Sequence, residues 1–395
     1  MISSENRNGK KVMAESKLRV GITGQSGFVG THLFNALGLR ADTYERIPFL
    51  DEFFMDITRL NQFVHECDVI VHLAAVNRHE DEQILYETNI RLVNQLIKAC
   101  EDTSTSPHIL FSSSVHENRS NHYGNSKKEG RRLFGAWAKR NNAHFTGLVI
   151  PNVFGPFGQP FYNSVVATFC HQITHGETPK IQSDGLVSLI YVGELVSQII
   201  GILEDVHILE APSFSSFETN IEASSSIRVS QLLVKLASYK DTYMNNGSIP
   251  ELNNQFDLNL FNTFLSYIDH SKFFPFSLTA HSDTRGLFVE TMKLNSGGQI
   301  SFSSTRPGIT RGNHFHTRKA ERFAVIKGKA EIELRRIGSS EKLSFILDGN
   351  TPSFVDMPVW YTHNITNIGS EDLYTIFWIN EHYDEEDPDT YFEVV

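Results

Sequence analysis

Residues 308–328 read GITRGNHFHTRKAERFAVIKG, and the order of residue types there constrains the fold more than any other stretch of the chain. His314 and His316 alternate, so on an extended strand both side chains leave by the same face. Glu321 follows five residues later, and its carboxylate can return from the next strand. His363, in PVWYTHNITN, comes after enough chain for several more strands. Together they make an N₃O donor set with room for water or substrate, compatible with Zn, Mn, Fe or Ni. Spacing does not choose the metal.

The other end of the chain carries a different pattern. KLRVGITGQSGFVGTHLFNAL is an apolar run leading into Thr23, Gly24, Gly27, Phe28 and Gly30 and then a helical periodicity. Glycines at these positions let backbone N–H groups and a helix N-terminus approach a pyrophosphate. The run's place, after a strand and at the opening of a helix, gives the glycine pattern its meaning.

A chain of 395 residues exceeds one ordinary domain, and the two motifs fall in two. The formal charge of −11, with no long basic run, argues against a nucleic-acid partner. Cys67, Cys100 and Cys170 lack paired or metal-ligand spacing and read as small buried hydrophobes of a reducing compartment. With no signal-like apolar core near the start and no apolar run long enough to span a membrane, a soluble cytoplasmic protein is expected.

From Lys17 to about residue 155, RVGIT, CDVIVHLAAV, HILFSSS and HFTGLVI alternate with amphipathic segments such as IRLVNQLIKAC. That alternation predicts an α/β doubly wound parallel sheet. Mixed helices and short strands follow, as in a substrate-covering lobe. Near residue 272 the pattern changes to short β runs broken by Gly, Asn and Pro, and it stays all-β to the end. The expected organisation is a polar, disordered extension over 1–17, a nucleotide-binding region with its lobe over 18–272, and an all-β region over 273–395.

HYGNSKKEG holds Tyr123 and Lys127, which a helix places on adjacent turns. An ammonium beside a phenol lowers the phenol's pKa, so that it can pass a proton to a carbonyl oxygen as hydride arrives at carbon. FSSS upstream supplies a hydroxyl to orient that carbonyl, with Ser114 the first choice and Ser113 the second.

Taken together, TGxxGxxG, the serine-rich strand end and Tyr-x-x-x-Lys resemble an extended short-chain dehydrogenase/reductase acting on nucleotide sugars. The histidine-rich end resembles a cupin jelly-roll. That resemblance implies further roles. Arg46, after the second strand, would take the 2′-phosphate of NADP, while Asp42 and Glu45 keep NAD open. Asp56 would contact adenine, Leu73, Ala74, Ala75 and Val76 would back the nucleotide, and Asn152 would meet sugar or diphosphate. Asp283 and Arg285, in SDTRGLFVE, resemble the opening strand of the deoxysugar 3,5-epimerases and would serve substrate. Two departures are informative. Only eight residues separate Ser114 from Tyr123, and Val115 and His116 stand where 4,6-dehydratases place an Asp-Glu pair, so net reduction is expected. In the second cupin motif Trp360 stands where glycine is common.

The order of these parts, ending in DPDTYFEVV, resembles the CapF-type bifunctional enzymes of bacterial capsule and O-antigen biosynthesis over nearly the whole chain. The resemblance implies a UDP-linked 2-acetamido-2,6-dideoxy-4-ketohexose as substrate, with C3 epimerised in the cupin and C4 reduced with NADPH. The product would be a UDP-N-acetyl-6-deoxytalosamine on the way to N-acetyl-L-fucosamine. It also implies zinc and a homodimer. Two other readings stay open: a reductase whose cupin only dimerises, and a nucleotide-sensing regulator, against which the intact Tyr123 and Lys127 speak.

Overall fold

The computed structural model describes residues 17–118, 121–205, 215–284 and 286–395. The expected extension therefore lies, apart from Lys17, outside the described residues. The chain divides into two compact units: Met1–Val149 with Ile200–Asn220, and Ile150–Ile199 with Ile221–Val395.

The first unit is built on a six-stranded sheet with strand order Tyr44–Ile47, Leu18–Thr23, Val69–His72, His108–Ser114, His144–Ile150, Ser215–Asn220. The pairings of Leu18–Thr23 with both neighbours are parallel, as are those of Val69–His72 with His108–Ser114 and of His144–Ile150 with Ser215–Asn220. Val69–His72 is buried throughout, as parallel strands covered on both faces must be. The helices are set by their caps. Asp56 caps Ile57–Glu66, Asp81 caps Glu82–Thr103 and Asn121 caps His122–Asn141, each carboxylate or amide oxygen accepting first-turn N–H groups. Phe54, Phe63, Phe111, Phe134 and Trp137 fill the core beneath. The strand order changes direction between Leu18–Thr23 and Val69–His72, and in such sheets that switch point opens the ligand crevice.

In the second unit a three-stranded sheet of Asn152–Phe154, Leu186–Tyr191 and Ser225–Arg228 accompanies the helices Val165–Thr174, Val229–Tyr239 and Gln255–Leu265. After the short helix His270–Phe273 every described element is a strand. Two five-stranded sheets follow. One has the order Phe276–Ser277, Ser353–Met357, Glu321–Lys327, Leu373–Ile379, Gln299–Thr305; the other has Lys342–Asp348, Lys329–Arg336, Tyr361–Asn367, Thr310–Phe315, Tyr391–Phe392. The pairings within both are antiparallel. Their inner faces share one core, in which Ala324, Val325 and Phe354 of the first sheet meet Ile332, Leu334, Leu347 and Ile365 of the second. This is the jelly-roll expected for the C-terminal region. All three cysteines are buried and unpaired, and no described helix is long and apolar enough to cross a membrane.

Candidate functional sites

At the end of the first strand Thr23 is buried, and its Oγ1 lies 2.7 Å from Nδ1 of His72 and accepts from Ala74 N at 3.4 Å. Gly24 takes φ +72°, and a Cβ there would meet the Ala74 backbone at 2.9 Å. Gly30 is tighter still, since a Cβ would fall 2.2 Å from the Gly24 carbonyl oxygen. Glycine is therefore the residue that allows helix Phe28–Gly38 to start this close to the strand. Gly27, the N-cap, offers no side-chain bond, so the first-turn N–H groups of Phe28 and its neighbours have no side-chain cap and are suited to an anion.

The loop after Val69–His72 lies alongside. Leu73 N donates to Thr23 O at 3.1 Å, and Ala74 packs against Gly24. Val76 is held on both sides by the buried Asn89, whose Oδ1 accepts from Val76 N at 2.7 Å and whose Nδ2 donates to Val76 O and to Ser126 Oγ, both at 3.0 Å. Ala75 lies between these fixed points. Asp56, expected at adenine, spends its carboxylate on the cap of its own helix, accepting from Thr58 N at 3.0 Å and Arg59 N at 3.3 Å.

Arg46 is not brought to this turn. It pairs level with Val20, three residues before Thr23, and its guanidinium donates to the Phe34 carbonyl at 3.1 Å while covering the Phe34 ring at 4.2 Å. That places it along the second half of the helix whose N-terminus faces the crevice. The residues that do gather at the turn are Gln25 and Ser26, with Gln25 Oε1 accepting from Phe49 N at 3.1 Å and Ser26 Oγ donating to Asp51 at 3.1 Å. Sequence reading missed them because strand Tyr44–Ile47 ends later than the charge pattern suggested.

Lys127 is wholly buried. Its Nζ donates to Ser112 Oγ at 3.3 Å and lies 5.7 Å from the centroid of the Tyr123 ring. Burial draws its pKa down from 10.5 to about 8, with Glu117 acting in the opposite sense. His72, buried beside it, is pushed to about 3, first by burial and then by Lys127, so it is neutral. Ser126 Oγ donates to Tyr123 O at 2.8 Å, tying the start of the helix to the Asn89 network.

The three strand-end serines divide by parity. Ser113 donates to Glu117, which Arg131 holds through two bonds of 3.0 and 2.6 Å. Ser112 and Ser114 leave by the opposite face from Ser113. Ser112 takes the Lys127 contact, and Ser114, at the tip, accepts from His116 N at 3.2 Å. Ser114 thus shares its face with the hydroxyl that meets Lys127, whereas Ser113 is committed to Glu117.

In the barrel, His314, His316, Glu321 and His363 converge, each offering a ligand atom within 4.8 Å of the others. His314 stands directly opposite His363 across the antiparallel strands. A bulge at Gly312 sets that register: Gly312 has φ +102° and Asn313 φ +59°, and a Cβ on Gly312 would meet His363 O at 2.8 Å. Glu321 opens a strand of the facing sheet, with its Oε2 3.4 Å from His316 Nε2 and 3.0 Å from His363 Nε2. These three atoms are buried, and apart from one another none has a polar partner. Burial, then His363 and His316, push His314 to about 4, so it is neutral. Burial would raise Glu321, but the neighbouring imidazoles overcome it and hold the carboxyl well below its usual range. Unpartnered buried nitrogens around a carboxylate fit a divalent cation. Trp360 adopts a left-handed backbone, φ +64°, and its ring stacks on Phe315 at 5.7 Å.

The remaining candidates are Asn152, Asp283 and Arg285. Asn152 Nδ2 donates to Ser188 O at 3.0 Å. Asp283 ends an exposed strand, Ala280–Asp283, paired with Gly286–Val289. Arg285 falls outside the described residues.

Residues 20–212 match the NAD dependent epimerase/dehydratase family, and residues 281–391 match the polysaccharide biosynthesis C-terminal domain. The chain is 31% identical to the UDP-2-acetamido-2,6-beta-L-arabino-hexul-4-ose reductase of Pseudomonas aeruginosa over 375 residues, 95% of this chain and 98% of that protein. Among solved structures it is similar to the capsular polysaccharide assembling protein CapF of Staphylococcus aureus, with 31% identity, a TM-score of 0.60, and coverage of 96% of this chain and 100% of that one. A Bacillus cereus UDP-glucuronic acid 4-epimerase, solved with UDP-glucuronic acid and NAD, shares the fold at 18% identity and a TM-score of 0.50, covering 57% of this chain and 83% of that one.

Proposed function

Because the chain belongs to the CapF-type family of capsular polysaccharide biosynthesis enzymes, a family of nucleotide-sugar reductases and epimerases, we propose that it carries out two successive steps on one UDP-sugar. The substrate is a UDP-2-acetamido-2,6-dideoxy-4-ketohexose. Its C3 is inverted in the barrel region, 273–395, and its C4 ketone is reduced in the region 18–272, giving a UDP-N-acetyl-6-deoxytalosamine. The observation that carries the reading is the donor set of His314, His316, Glu321 and His363, with three buried atoms that face only one another, in a chain whose other unit holds Lys127 beside Tyr123.

The chemistry links the halves. The C4 ketone acidifies the C3 proton, because the carbanion left behind delocalises onto the carbonyl oxygen. A divalent ion held by the four barrel residues, zinc in this proposal, would favour negative charge on that oxygen. His314 and His363, facing each other across the bulge, fix the donor geometry, and His316, Glu321 and His363 are buried. Inversion is a proton removed from one face of C3 and returned to the other; it is reversible. Reduction makes it permanent.

In the other unit the glycine turn and the start of helix Phe28–Gly38 receive the diphosphate of a nicotinamide cofactor, which supplies hydride. Tyr123 gives its phenolic proton to the C4 oxygen as hydride reaches C4, Lys127 makes that proton easier to release, and Ser114 orients the carbonyl. NADPH is proposed as the reductant on family resemblance; Arg46, held on Phe34, lends it no support. A homodimer and service of Asn152, Asp283 and Arg285 to the sugar nucleotide are proposed on the same resemblance.

The test is to incubate the protein with the 4-ketosugar and NADPH and assign the product by NMR. A C4 alcohol with inverted C3 is the expected product. Reduction with C3 retained would remove the epimerase half.

A further inference from the structure

We infer that the C-terminal segment, residues 387–395, positions the metal donors of the barrel, and that Asp389 is its main positioning residue; this rests on the metal reading given above. Asp389 is 2% exposed and adopts φ +40°. Its carbonyl accepts from Nδ1 of His316. A histidine that donates through Nδ1 keeps a lone pair on Nε2, and Nε2 of His316 is one of the unpartnered buried atoms facing Glu321.

The Asp389 carboxylate fixes where that carbonyl points. It accepts from Thr317 N at 3.1 Å, Thr317 Oγ1 at 2.6 Å, Arg318 N at 3.0 Å and Lys319 N at 3.2 Å. These residues form the turn between His316 and Glu321, so one buried carboxylate sets the separation of two donors. Its neighbours tighten the same turn. The buried Lys319 ammonium donates to Pro388 O at 2.9 Å, and the Arg318 guanidinium bonds Asp387 and Glu381.

Further on, the segment braces the opposite side of the site. Tyr391–Phe392 pairs with Thr310–Phe315 so that Phe392 stands beside His314. Glu393 N donates to Asn313 O at 3.0 Å, at the bulge, and Thr362 Oγ1 donates to Glu393 O, one residue before His363. The segment therefore touches the backbone around each histidine and the turn leading to the glutamate. DPDTYFEVV is thus packed around the donor set.

Asp389→Asn separates this role from simple packing. Asparagine has nearly the same size and tolerates a left-handed backbone, but its amide turns N–H groups toward N–H donors. Affinity for Co²⁺ or Zn²⁺ alone, read by competition with a chelating dye, should fall about 10–100-fold. The visible absorption bands of the Co²⁺ protein should shift as the donor geometry relaxes, while NADPH binding to the other unit stays unchanged. Thr317→Val, which removes one bond to Asp389, should give a smaller loss in the same direction and decides the matter if Asp389→Asn does not fold. Unaltered affinity and Co²⁺ spectrum in a folded Asp389→Asn or Thr317→Val protein, with the unsubstituted protein binding metal, overturns the positioning role alone. Absence of metal binding by the unsubstituted protein overturns this inference together with the metal reading.

Discussion

Replacing Lys127 with methionine should make the cofactor-free protein more stable at neutral pH and abolish its reductase activity. The ammonium is wholly buried, and burial takes its pKa from 10.5 to about 8. At roughly 1.4 kcal/mol per unit, that shift corresponds to about 3 kcal/mol held against the native state while the group is charged. The sign follows from proton counts. Below pH 8 both native and unfolded chains keep the proton and the full penalty applies. Between 8 and 10.5 the unfolded chain binds more, so native stability rises with pH, and above 10.5 the penalty is gone. Methionine removes the charge and keeps the length. It gives up the contact to Ser112 Oγ, worth about 1 kcal/mol, and Ser112 still donates to His72 O at 3.1 Å. The net gain is about 2 kcal/mol at pH 7, disappearing toward pH 10.5. Native-state hydrogen exchange on peptides within 108–141, read by mass spectrometry across urea concentrations, follows this unit without the barrel's contribution. A methionine variant less stable at pH 7, or equally stabilised at pH 7 and above 10.5, would refute the claim that charge burial strains this site.

Tyr123→Phe should slow reduction on the order of 10² to 10⁴ with cofactor binding intact; NADPH oxidation at the unsubstituted rate would take Tyr123 out of the proton transfer. Arg46→Ala should change NADPH and NADH affinity alike, within about threefold, because the guanidinium is engaged with Phe34. A fluorescence titration showing a selective tenfold loss of NADPH would return Arg46 to the 2′-phosphate. Gly312→Ala, forcing a Cβ to within 2.8 Å of His363 O at φ +102°, should cost about 2 kcal/mol and weaken metal binding; an unchanged barrel melting temperature would show that the bulge yields easily.

Much of this architecture is written locally. RVGIT and HILFSSS are apolar because parallel strands are covered on both faces, and Gly30 is required by its approach to Gly24 and Gln25 in the same turn. The four barrel donors were legible for the same reason: strand alternation and a fixed return distance set their convergence. What escaped were features decided by register and by distant partners. Arg46 has the right charge near the right strand, but pairing level with Val20 leaves it short of the turn. Ser114 is the first choice by position, but the face it shares with Ser112 gains meaning only once Lys127 is placed. Asn89 and His72 look like ordinary helix and strand residues until Val76 and Thr23 are set against them. Asp389 acts across more than seventy residues of chain, and no local periodicity records such a bond. Trp360, where the resemblance leads one to expect glycine, takes a left-handed backbone that its sequence does not announce.

The most direct test of barrel chemistry is deuterium incorporation at C3 of the 4-ketosugar in D₂O, without NADPH, in metal-replete and chelator-treated protein. C3 is expected to exchange in the replete protein, to stop exchanging after chelation and to resume when Zn²⁺ or Co²⁺ is returned, with NADPH binding unaffected throughout. Full exchange at C3 in the metal-free protein would contradict a catalytic role for a metal held by His314, His316, Glu321 and His363.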